Sequence, residues 1–451
     1  MHGTMESYTH RPLSWLTGLV ALAAAMPLLA AGPATPQKEA TRMALTPQEI
    51  SRRIESHRTA QVTLTVTDVG GGAVAGQEIR VRMTRHKFLF GCNFFGLNPN
   101  DASEKQKAYR QRFTDLLNFA TLPFYWGSFE RTAGKPDTQR LAAMARWCRD
   151  KGIAVKGHPL AWHQVAPRWH EGKDEDEMLR LQTHRVAREV AQLAGLVDCW
   201  DVVNEAVVCP TYKTEKNHLT PLMQKHGREA VIKAMFDAAV AANPRATLLL
   251  NDYDTTAAYA DLIGKCLEAG VRIDVIGIQS HMHAGYWGPE KTWEVCQRFA
   301  RFGKPLHFTE MSIVSGPPPK TIRWHGPKHD DWLSTPEWEQ QQAAQVVETY
   351  TLLFSHPSVE AITWWDLPDG QWLGAPSGLV RADMTPKPAY DALMRLVKGE
   401  WWTDVKLTTD AQGRAAFRGY LGAYEVTAST GKATFVLDQK GQRQITLIIA
   451  P

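Results

Sequence analysis

Two periodicities divide this chain. From residue 61 the stretch QVTLTVTDVGGGAVAGQEIRVRM alternates apolar and polar positions, with Val62, Leu64 and Val66 forming one set and Ile79, Val81 and Met83 a second. The Gly-rich interval between them breaks the alternation, so the pattern predicts two strands joined by a turn, each with one buried face. The same texture returns near the far end in VKLTTDAQGRAAFRGYLGAYEVTASTGKATFVLDQKGQRQITLII. Chain ends commonly lie close together, so the two segments are expected to meet in one small β-sandwich-like module. A scaffold role suits that module better than carbohydrate binding. Between the two segments, short apolar runs alternate with longer amphipathic ones. FLFGCNFF, NFATLPF, IAVKGHPL, VDCWDVVNE, ATLLLND, VIGIQSH, PLHFTEM and AITWWD read as strands, and stretches such as DTQRLAAMARWCRDKG and EAVIKAMFDAAVAANP read as helices. Strands buried on both faces, each followed by a helix, and eight such units predict an α/β fold built on a closed (β/α)8 TIM barrel. An open doubly wound sheet would call for a Gly-rich phosphate turn after the first strand, and GCNFFGLNPN lacks the G-x-G-x-x-G spacing.

Length and composition set the outer bounds. A chain of 451 residues, 44% hydrophobic and 22% charged, is ordinary globular material, long enough for one large barrel and a small module. The net charge of +4 comes without any block of Lys and Arg, which excludes nucleic acid as a partner. Arg11 stands before PLSWLTGLVALAAAMPLLAAGPA, an apolar run ending in small residues. It reads as a secretory signal rather than an uncleaved anchor, and places the mature protein in the periplasm or outside the cell, free of the membrane. The expected organisation is therefore a signal peptide over 1–34, a linker with an N-terminal helix over 35–58, a β segment over 59–87, the barrel over 88–400, and a C-terminal β segment over 401–451 that packs with 59–87. Export permits disulfides. Cys199 and Cys209 are the nearest pair in sequence, but six Cys allow fifteen pairings and the spacing does not choose among them. A monomer is expected.

The polar residues fall in a telling place. Asn93, His158, Asn204, Glu205, Asn251, Asp252, Gln279, His281, Glu310 and Asp366 all lie at the downstream ends of the predicted strands. In a parallel barrel those ends converge on one face, where active sites are built. Glu205 follows the fourth strand and Glu310 the seventh, so the two carboxyl groups would face one another across the rim. Paired carboxylates about 5 to 5.5 Å apart suit glycoside hydrolysis with retention, one giving a proton to the leaving oxygen and the other attacking the anomeric carbon. His281 and Gln279 are placed to hydrogen-bond the nucleophile. Trp162, Tyr253, Trp364 and Trp372 offer aromatic faces for sugar rings, whereas Trp147 and Trp200 read as core. A metal site is the competing chemistry, with His158, His163, His281 and His283 as ligands. No Asp or Cys completes a ligand spacing around them, so no metal is expected.

GHPLAWH, WDVVNEA, NDY, IGIQSHM and HFTEMS, followed by ITWWDLPDGQW and TPKPAYDAL, resemble in their order the signature segments of glycoside hydrolase family 10, the endo-β-1,4-xylanase family. The resemblance runs from about residue 88 to 398. It implies a retaining enzyme that needs no cofactor and acts on xylan or a related β-glycan. It further implies Glu205 as acid/base, Glu310 as nucleophile, Asn204 at the sugar 2-hydroxyl and His281 beside the nucleophile. His158, Trp162, Tyr253, Gln279, Trp364 and Trp372 match positions lining the sugar subsites. The departures cluster on the non-reducing side. TLPFYW stands where the family carries E-N-x-x-K-W, with Tyr125 about where the Lys would be, and WHQVAP puts Val165 at the place of a Gln. TEMS places Ser312 where many members have Asp. The alternatives are a relative acting on another β-glycan or a shorter β-glycoside, and a non-catalytic glycan-binding protein, which the retention of both Glu disfavours. The long loop SGPPPKTIRWHGPKHDDWLSTPEW after the seventh strand is expected to roof the cleft.

Overall fold

The computed structural model describes residues 36–214 and 216–450. The apolar run read as a secretory signal lies outside them. Among the described residues no helix is long and apolar enough to cross a membrane. The segment expected to be a linker with a helix contains helices Pro36–Ala44 and Pro47–Arg58. Thr46 starts the second, its hydroxyl accepting the Glu49 N–H while Pro47 occupies a position whose N–H needs no partner.

The strands, in chain order, are β1 (Thr59–Thr67), β2 (Glu78–His86), β3 (Leu89–Asn93), β4 (Phe119–Pro123), β5 (Ala154–His158), β6 (Cys199–Asn204), β7 (Thr247–Asp252), β8 (Val275–Ile278), the two-residue β9 (His281–Met282), β10 (Leu306–Ile313) and β11 (Val359–Trp364). Five more follow: β12 (Asp404–Thr408), β13 (Arg414–Tyr420), β14 (Gly422–Ala428), β15 (Gly431–Leu437) and β16 (Gly441–Ile448). Each of the eight apolar runs is a strand. They lie side by side in the order β11, β3, β4, β5, β6, β7, β8, β10, and the pairing of β10 with β11 closes the ring. All these pairings are parallel, with helices such as Thr138–Asp150 and Arg228–Ala242 covering the outside. Several helices start on side-chain caps, Ser103 on Gln106 N, Asp174 on Glu177 N and Thr335 on Trp338 N. Inside the barrel packing is tight at Gly157, where an added Cβ would come within 2.2 Å of the fully buried Trp200 ring.

The terminal segments meet as expected. β1 lies between β13, antiparallel, and β16, parallel, while β2 lies between β12 and β14, with β15 on the edge. Val62, Leu64 and Val66 from the first sheet and Ile79, Val81 and Met83 from the second share a core with Tyr424 and Val426. One-faced burial of each strand is what the alternating pattern requires. β2 leads into the upstream end of β3, so the module joins the barrel on the face opposite the strand tips. There the Arg58 guanidinium donates to the carbonyls of Phe354, His356 and Val359, and Trp401 stacks on Phe354 with centroids 4.2 Å apart. All six Cys are free thiols, Cys199 and Cys209 included. Burial pushes the Cys199 and Cys209 thiols up to about 12, which keeps them protonated and unreactive at neutral pH.

Candidate active site

The downstream ends of the barrel strands enclose a cavity of about 940 Å³, lined by residues from all eight. Asn204 and Glu205 reach it because β6 ends in a left-handed residue: Glu205 has φ +56°, and its N–H donates to the Asn251 carbonyl at 2.8 Å. A non-glycine residue is seldom held in this conformation unless its surroundings enforce it. Glu310 lies within β10, with every residue of that strand buried.

Two amides in series link the two carboxyl groups, since the Asn204 Nδ2 group donates to Glu205 Oε1 at 3.4 Å and Asn251 joins Asn204 to Glu310. The Asn251 Nδ2 group donates to Glu310 Oε1 at 2.8 Å and to Asn204 Oδ1 at 2.7 Å, while the Thr309 hydroxyl donates to Asn251 Oδ1 at 2.6 Å. Gln279 Nε2 donates to Glu205 Oε1 at 3.1 Å and to Asn204 Oδ1 at 3.2 Å. On the other side of Glu310, His281 Nε2 stands 3.2 Å from Oε2. The His281 Nδ1 is 3.2 Å from the Ser312 hydroxyl, which in turn is 3.0 Å from His283 Nδ1. Ser312 thus bridges two imidazoles that the sequence offered as metal ligands. Among the described residues no three His, Cys, Asp or Glu side chains group as a metal site.

Below the rim, Asp201 is fully buried and pairs with Lys156 Nζ at 2.6 Å and His158 Nδ1 at 2.7 Å. His158 Nδ1 is also 3.9 Å from Glu310 Oε1. These neighbours set the ionisation. Burial alone would raise Glu310, but His158, His281 and Lys156 outweigh it and hold the carboxyl below its ordinary range. Glu205 lacks such neighbours, and burial pushes it up to about 7, Glu310's negative charge adding to the effect. His163, 3.7 Å from Glu205 Oε2, offers no compensating charge, because burial lowers it to about 4. One cleft therefore holds a carboxylic acid and a carboxylate at neutral pH.

The cavity brings together Glu205, Glu310, His281, Asn204, His158, Trp162, Tyr253, Gln279 and Trp372. Trp364 is the exception. It is fully buried outside the cavity, its indole N–H donating to the Ser377 carbonyl and its ring facing Tyr350, while the adjacent Trp365 lines the cleft. Successive residues at a strand end point to opposite sides, so only one of the two Trp can face inward. Sequence reasoning left out Asn251 as the link between carboxylates, and Asp201 with Lys156. A buried-strand pattern interrupted by Lys156 and Asp201 was the available signal for the latter pair. The loop after β10 does reach the cleft. It forms its own small core from Trp332, Leu373, Ala375 and Val314, and presents Trp324, 41% exposed, 5.9 Å from the Trp372 ring. Tyr253, 49% exposed, also lines the cavity, as do Tyr212 and Trp287.

Three comparisons agree on the lineage. An anti-sigma-I factor, RsgI6, of Acetivibrio thermocellus is 24% identical over 406 residues, covering 86% of this chain and 48% of that protein, so the chain spans about half the length of that relative. The endo-1,4-beta-xylanase B of Thermotoga neapolitana is 26% identical over 344 residues, 71% of this chain and 92% of that protein. The native xylanase 10B structure from Thermotoga maritima superposes with a TM-score of 0.58 at 22% identity, over 70% of this chain and 96% of that one, a likeness of fold. The sequence profile of glycosyl hydrolase family 10 matches residues 83–396, most of the chain. Barrel, rim and profile together assign the protein: it belongs to glycosyl hydrolase family 10.

Proposed function

We propose that this protein is a retaining glycoside hydrolase that cleaves β-1,4-xylan, acting as a monomer in the periplasm or outside the cell. The observation that carries the reading is the divergence of two carboxyl groups in one cleft, Glu205 pushed up to about 7 and Glu310 held below its usual range. In the first step the Glu310 carboxylate attacks the anomeric carbon as Glu205 gives its proton to the glycosidic oxygen, so the C–O bond breaks and a glycosyl ester forms on Glu310. Glu205, now ionised, takes a proton from water. The resulting oxygen attacks the same carbon, the ester bond breaks, and the sugar leaves with its original configuration while both Glu return to their starting states. Asn251 and His281 orient the nucleophile through its two oxygens, and Asn204, tied to Asn251 and Gln279, is placed for the sugar's hydroxyl.

Product analysis tests this reading. Purified mature protein is incubated with β-1,4-xylan, β-1,3-xylan, mixed-linkage glucan and aryl β-glycosides, with Glu310→Gln as control. Xylose or xylo-oligosaccharides from β-1,4-xylan that are absent with the control support it; silence on xylan with turnover of another substrate replaces xylan as the substrate. A second reading, a shorter β-glycoside, is favoured by one feature: Tyr125 places an aromatic ring beside His158 and Trp162, 5.5 Å from each, on the flank where a polar chain was expected.

A further inference from the structure

The mouth of the barrel is built unevenly. On the tips of four neighbouring strands, β11, β3, β4 and β5, Trp365, Phe95, Tyr125 and His158 form a closed cycle of ring contacts. The centroids are 5.2 Å apart for Phe95 and Trp365, 5.7 Å for Phe95 and Tyr125, 5.5 Å for Tyr125 and His158, and 5.5 Å for His158 and Trp365, all near perpendicular. Rings in mutual edge-to-face contact make a continuous wall with no slot between them.

Several polar side chains behind this wall are already engaged. Asn93 Nδ2 donates to Asp366 Oδ1 at 2.9 Å, the Asp366 N–H returns to Asn93 Oδ1, and Asp366 Oδ2 accepts from Trp372 N. Gln106 is spent on Gly96 O and Asn98 N, and Asp369 on Lys387 and Gly378 N. Lys105 stands exposed at the outer edge. A sugar leaving water there meets few hydrogen-bonding groups, the Tyr125 hydroxyl, the Trp365 indole N–H and His158 Nε2 of the wall itself, whereas a sugar at Glu205 and Glu310 meets a denser set of donors and acceptors.

From this we infer that the cleft reads a single sugar on the non-reducing side of the scissile bond, and that substrate is otherwise held on the Tyr253, Tyr212 and Trp287 flank. The inference rests on the glycosidase reading above and narrows it to substrates with one glycone unit, such as terminal residues or monoglycosides. A site that makes few polar contacts to a second sugar gains little from its presence, and remote contacts are what raise kcat/KM for longer substrates.

The test measures kcat/KM for four aryl substrates, the β-xyloside, β-xylobioside, β-glucoside and β-cellobioside, on wild-type protein and Tyr125→Lys. The expected result is that lengthening the glycone by one sugar raises kcat/KM less than about tenfold within the sugar that is turned over. Tyr125→Lys, which restores a polar chain, is expected to increase that gain. A wild-type gain above about tenfold overturns the inference while leaving the hydrolase reading intact. An unchanged gain in the Lys variant removes Tyr125's flank as its cause and overturns it too. Turnover of glucosides alone changes the substrate assigned above, and the glucoside pair then decides this question. If Glu310→Gln matches wild type on all four, or none is cleaved, both readings fall.

Discussion

Across the mouth of the barrel, the tips of β6, β7, β8 and β10 carry amides and carboxyl groups, while the tips of β11, β3, β4 and β5 carry rings. The strands behind them are alike, apolar and buried on both faces. On the polar half every group has a partner chosen from another strand: Asn251 reaches Asn204 and Glu310, and Gln279 reaches Glu205. Such a network fixes geometry and ionisation to fractions of an ångström, which bond-making chemistry needs. On the ring half, the four rings meet one another by shape and area. The division is not complete, because His158 on the ring half has its Nδ1 3.9 Å from Glu310 Oε1 and so joins the two.

The largest effect should come from breaking the polar half. Glu310→Gln is expected to lower kcat by at least about 10,000-fold while substrate binding persists, measured by single-turnover kinetics and binding titration. Glu205→Ala should cost about 100- to 10,000-fold on substrates with poor leaving groups and far less on activated aryl glycosides. The wild-type pH profile sharpens that assignment. Glu205, raised to about 7, must carry its proton, so kcat/KM should fall as pH rises through about 7, and this limb should vanish in the Ala variant. On the acid side the rate should fall only once pH drops below the ordinary carboxylate range, where Glu310 takes up a proton.

Beneath the boundary of the two halves lies the buried Lys156, Asp201 and His158 group. Asp201→Asn leaves Lys156 without its counter-charge at zero exposure and should destabilise the fold by about 3–5 kcal/mol in denaturant titration. The smallest effect is expected from the roof. Trp324→Ala removes an exposed ring from a loop that keeps its own core, so KM should rise by about two- to tenfold with thermal stability unchanged.

Much of this was legible along the chain. The eight apolar runs and their helical intervals specify the barrel because a parallel strand must be apolar on both faces, and the polar residues that end the runs had to share one rim. The alternating terminal segments likewise had one way to hide a face each. The WW pair after β11 was not legible. Either ring suits a strand end, and the pairing of β10 with β11, irregular near Met311, together with the left-handed Asp366 at φ +73°, turns Trp365 rather than Trp364 inward. Asn251 gave no sign of its role either, since a strand-end Asn satisfies a loop as readily as it ties Glu310 to Asn204.

Local pattern, then, determined the elements, the closed architecture and the ring of candidate groups, because periodic burial is a property of neighbouring residues. Tertiary structure alone decided how the ionisation of Glu205 and Glu310 diverges, which rings wall the cleft and how Asn251 and Asn204 connect the two carboxyl groups. Burial and Coulomb interactions act between side chains a hundred residues apart, and their values exist only once the barrel has closed.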